Sequence, residues 1–145
     1  MKLKFLYPIP LILLVLSACS PVIGEYSLQA YKNATELKAR SIALLDKSTD
    51  PYVRHQAEAE ELMVSINAAY EFAAGLPRND IAARQWNLMR SKQENLMGGF
   101  VEFWKKRRRG LSSFFVAEYR KEINQTFNYI ICLEANKQEK TKCGQ

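Results

Sequence analysis

Apolar positions recur at helical spacing in four stretches of the chain. Between Glu25 and about Lys47, the residues Tyr31, Ala34, Leu37, Ser41, Leu44 and Leu45 fall three and four apart. Lys32, Glu36, Lys38 and Arg40 lie mostly elsewhere, so the pattern predicts an amphipathic helix. Asp50-Pro51 resets the chain, since Asp is a favoured N-cap and Pro suits the first helical position. The next seam is the clearest: Ala59, Leu62, Ile66, Ala69, Ala73 and Leu76 alternate spacings of three and four, with stop signals at Gly75 and Pro77.

A third helix starts near Asn79 or Asp80 and carries Ile81, Trp86 and Met89 on a broad face. It either runs unbroken or restarts at Ser91-x-x-Glu94, which reads as a capping box. Gly98-Gly99 then weakens the segment or lets another backbone approach closely. Phe100, Val101, Phe103 and Trp104 follow, and Lys105-Lys106-Arg107-Arg108-Arg109-Gly110 closes the helix with cations in its last turn. Ser112 caps the final helix, with Leu111 and Val116 placed as a hydrophobic staple. Its apolar face continues through Tyr119, Ile123, Phe127, Ile130 and Leu133. No segment alternates with the period of a strand. The fold class is therefore all-α, a four-helix antiparallel bundle with short connections over residues 25–136, followed by a polar tail, 137–145.

The first residues have a different character. Lys2 and Lys4 precede an apolar run from Phe5 to Leu16. This run is shorter than the roughly 20 apolar residues of a membrane span; it has the length and flanks of a secretory signal. Leu16-Ser17-Ala18-Cys19 closes it, and these four positions resemble the lipobox of bacterial lipoproteins. In that family the Cys is diacylated on sulfur, the leader is cut away before it, and the new N-terminus is usually acylated. The resemblance implies a cleaved signal peptide at 1–18, a palmitate-type anchor on Cys19 and a lipidated tether at 19–24. The lipid bilayer is then a permanent partner, because a second acyl chain turns reversible binding into stable anchoring. Ser20 follows, where lipoproteins retained at the inner membrane of Gram-negative bacteria commonly carry Asp. By resemblance it points to the periplasmic face of the outer membrane in such a source.

Charge and cysteines fit that address. Removing 18 residues from 145 leaves 127, with 19 basic and 15 acidic side chains and a net charge of +4. Once Cys19 is acylated, Cys132 and Cys143 remain as a pair that an oxidising compartment would join; the alternative is two free thiols in a frayed tail.

Candidate chemistry is sparse. His55, the one histidine, stands one turn before Glu58, the reverse of the order a di-metal bundle needs, and it reads as a solvated side chain. Glu58, Glu60 and Glu61 read as acids that offset a helix dipole. No phosphate-binding loop or dinucleotide turn is present. The expectation is a non-enzymatic protein with no cofactor, no metal and no nucleic-acid partner.

Charge is nevertheless sorted along the chain: residues 50–75 sum to −4 and residues 76–109 to +6. Neighbouring helices of opposite charge stabilise one another on the simpler view. On the sharper view Lys105, Lys106, Arg107, Arg108 and Arg109 contact something anionic, either an envelope component or an acidic protein. The small helical lipoproteins that the chain resembles supply no functional residue. The functional expectation is a helical binding or adaptor module in the envelope; the alternative is a small inhibitor or exclusion factor of phage or plasmid systems.

Overall fold

The computed structural model describes residues 24–139 and residue 143. The leader, Cys19 and most of the tether lie outside the described residues, as do 140–142 and 144–145. Five α-helices form, with no strand among the described residues: α1 (Leu28–Lys47), α2 (Gln56–Gly75), α3 (Asp80–Arg90), α4 (Met97–Lys105) and α5 (Ser113–Glu139). A single 3₁₀ turn, Tyr52–Arg54, precedes α2. None of these helices is long and apolar enough to cross a membrane. The all-α expectation holds, and the third stretch takes its interrupted alternative, which makes five helices among the described residues.

The extra helix comes from the third stretch. Ser91 closes α3 in an extended conformation instead of opening a new helix, and its N–H donates to the Asn87 and Leu88 carbonyls. Glu94 completes no capping box; Leu96 precedes α4 without a side-chain cap. The chain then folds back on this turn so tightly that a Cβ at Gly98 would sit 2.3 Å from the Arg90 carbonyl oxygen. The glycine is needed for that close approach.

Two other helix starts differ from the sequence reading. Ser27 caps α1, its Oγ accepting from the Ala30 N–H at 3.2 Å. Pro51 opens the 3₁₀ turn, and α2 begins only at Gln56. Tertiary contacts explain the delay. The Trp104 indole N–H donates to the Asp50 carbonyl at 2.9 Å, and Tyr52 packs edge-on against Trp104. At the far end of α2 the left-handed residue is Arg78, with φ of 56°, and not a glycine.

The apolar seams meet in one core. Leu44, Leu45, Leu62, Ile66, Met89, Phe100, Trp104, Ile123, Phe127 and Ile130 are buried within it. Ala30 and Ala82 are buried where Tyr31 and Ile81 were expected; Tyr31 is half-buried and Ile81 exposed.

The connections fix which ends coincide. The Gly24 N–H donates to the Arg78 carbonyl at 2.9 Å, placing Gly24 beside the α2–α3 turn. At the other end of α1 the Leu111 N–H donates to the Ser48 carbonyl at 2.8 Å, so the α4–α5 loop lies against the end of α1. The 20 residues of α1 separate the two ends by about 30 Å. The break at Ser91 does not redirect the chain, since α4 still delivers its C-terminus to the end opposite Gly24.

Candidate functional site

The basic run occupies the loop at that distant end. Lys105 ends α4, Lys106 is its C-cap, and Arg107 to Arg109 follow without helical structure. All five side chains are exposed. The loop is held from beneath by the Leu111 to Ser48 bond and by Gly110, which lies against the Thr49 carbonyl. Leu111 and Val116 are buried on either side of Ser112, as a staple at the start of α5 requires.

Ion pairing separates the acidic stretch from the basic one. Glu58 accepts from Lys47 at 2.7 Å, Glu61 from Arg40 at 3.0 Å, and Glu71 faces Arg90 at 3.6 Å. Three of the four acids of α2 are thus paired with α1 and α3. None of Lys105 to Arg109 forms an ion pair among the described residues. Mutual neutralisation accounts for Arg90 and leaves the five-residue run unexplained.

Aromatic side chains share this end. Phe114 and Phe115, in the first turn of α5, are 67% and 41% exposed. Phe115 contacts Phe103 with ring centroids 5.2 Å apart; Phe103 contacts Tyr119, and Tyr119 contacts Phe100 in the core. The Arg107 guanidinium lies over the Phe103 ring at 4.5 Å. Cations and exposed phenylalanines therefore stand side by side, on an aromatic series rooted in the core. Phe103, Trp104, Phe114 and Phe115 bracket the basic run in the sequence, and the position of Phe114 and Phe115 in the first helical turn after a basic loop is the sequence signal for their exposure.

The other candidates have structural surroundings. His55 is half-buried, not freely solvated: its Nε2 is 3.1 Å from Asp50 Oδ2, and its ring stacks on Trp104. Glu60 accepts from Gln56 at 2.8 Å. Among the described residues no three His, Cys, Asp or Glu side chains converge as a metal site. A cavity of about 640 Å³ is an open groove between α2 and the α3–α4 break; Met63, Val64 and Val101 contribute to its lining.

One feature at the Gly24 end was not anticipated. Glu134 and Lys137 form an ion pair at 2.6 Å with side chains 0% and 3% exposed. Lys137 also donates to Asn79, whose amide donates to the Ala73 carbonyl. Beside them Cys132 and Cys143 form a disulfide with Cα atoms 5.7 Å apart, and Asn136 donates to Cys143 Sγ at 3.1 Å. The paired-cysteine expectation is met, and the tail is fastened to the last helix.

No protein-family model, curated protein or solved structure matches this chain.

Proposed function

We propose that this chain is a bacterial envelope lipoprotein, anchored through acylated Cys19, whose helical domain presents a basic contact surface away from its own membrane. In this reading α3 and α4 serve as one interrupted leg of a four-helix antiparallel bundle, and the mature protein faces the periplasm. The lipobox at Leu16 to Cys19 supports the anchor. One observation carries the contact surface: Lys105 to Arg109 are exposed, unpaired among the described residues and opposite Gly24. Five cations held in one loop repel one another, so an anionic partner stabilises them by attraction and by relieving that repulsion. The role is binding, as an adaptor or assembly factor, with no chemical step.

The test is charge reversal. Changing Lys105, Arg107 and Arg109 together to Glu abolishes retention of anionic envelope material by the purified protein. Retention equal to the unaltered protein's removes the proposal.

A further inference from the structure

The aromatic neighbours of the basic run narrow the class of partner. Phe114 projects from the first turn of α5, Phe115 rests on Phe103, and Arg107 covers the same Phe103 ring. Cations and apolar rings thus form one composite patch at the end of the molecule. A solvated polyanion would engage the charges and leave two phenylalanines in water. An acidic peptide laid in the groove beside Phe114 and Phe115 would meet Glu118 and Glu122, which line that groove. These acids lie about 6 and 12 Å along α5 from Phe114, so they recede from the end of the molecule. A surface that touches only the end meets the cations and rings and avoids both acids. A bilayer with anionic head groups has that geometry: phosphates pair with Lys and Arg while rings enter the boundary with the acyl chains.

We propose that the end formed by Lys105 to Arg109, Phe114 and Phe115 docks on an anionic phospholipid bilayer, distinct from the one beside the tether because Gly24 lies at the opposite end. The inference rests on the anchored reading above and specifies its partner.

The acylated protein is incorporated into immobilised phosphatidylcholine vesicles, and capture of fluorescent acceptor vesicles is measured. Acceptors containing phosphatidylglycerol are captured, and pure phosphatidylcholine acceptors are not. Phe114→Ser with Phe115→Ser lowers capture roughly tenfold through lost apolar burial. Reversing Lys105, Arg107 and Arg109 to Glu abolishes it; circular dichroism checks that both variants keep their helices. Equal capture of neutral and anionic acceptors, or undiminished capture by either variant, overturns the proposal. Protein that stays on the donor vesicles and captures none overturns the docking surface and leaves the anchor intact. Protein that washes off the donors contradicts the anchor, and its direct sedimentation with the same acceptors, or failure to sediment, then decides the docking surface. A protein that retains an acidic polymer but no anionic vesicle keeps the broader function and refutes this partner.

Discussion

Gly110 packs directly against Thr49: a Cβ at position 110 would lie 1.6 Å from the Thr49 carbonyl oxygen. The contact is between two backbones, so no side chain can move aside to relieve it. It fastens the loop carrying the basic run to the end of α1. Gly110→Ala is expected to destabilise the fold by about 1–3 kcal/mol, the usual range for overpacking a close contact. Gly75→Ala is the control, because a Cβ there meets nothing within 4 Å. It should be neutral or stabilising by up to about 1 kcal/mol through reduced freedom of the unfolded chain. Urea unfolding should show a lowered midpoint for Gly110→Ala and an unchanged or raised one for Gly75→Ala.

The Glu134–Lys137 pair is the costliest polar arrangement in the described structure to disturb. Both side chains are buried, and Glu134 Oε1 has no hydrogen-bond partner. Lys137→Met leaves a carboxylate uncompensated and is expected to cost about 3–5 kcal/mol, whereas adding Glu134→Leu removes the stranded charge and recovers much of that loss. A double-mutant cycle measures the coupling. Strict additivity of the two single changes would show that the pair contributes no mutual stabilisation.

Reduction of Cys132–Cys143 opens a loop spanning 11 residues. Loop-closure entropy gives a loss of roughly 3 kcal/mol. Thermal unfolding with and without reductant should show that difference, while Cys132→Ser should lose no further stability on adding reductant.

Alkaline pH acts through two tyrosines. Burial raises the Tyr52 phenol above its ordinary value of 10.0, assisted by the negative charges of Glu60 and Glu102; burial alone raises Tyr119. Above pH 10 the unfolded chain loses these protons before the folded one does, so stability falls as pH rises through the folded-state values. Below pH 10 the contribution is fully present. Absorbance titration should find two phenols ionising late, and Tyr52→Phe with Tyr119→Phe should flatten the alkaline fall in unfolding free energy.

Much of the fold was legible because burial follows period. Leu37, Leu44, Ile66, Ile123 and Phe127 lie in the core where the helical spacing placed them. Local signals failed where distant contacts decide the backbone. Asp50-Pro51 has the chemistry of a helix start, but Trp104, 54 positions away, binds the Asp50 carbonyl and the chain takes a 3₁₀ turn. Ser91 and Glu94 have the spacing of a capping box, yet Gly98 lets the next helix fold onto that turn. Glu134 and Lys137 gave no signal in the sequence, because Asn79, which accepts from Lys137, lies 58 positions away on another connection. The basic run was visible as composition. Its lack of ion pairs among the described residues and its neighbouring exposed rings required the packed arrangement of α1, α4 and α5.

The reading of this protein as an envelope binding module depends on a covalent anchor at one end and a charged surface at the other. Metabolic labelling with radioactive palmitate, in cells producing the unaltered chain or Cys19→Ala, tests the anchor directly. The account predicts label in the unaltered protein and none in the variant, which also leaves the membrane fraction. An unlabelled protein, or a Cys19→Ala variant that still sediments with membranes, contradicts it.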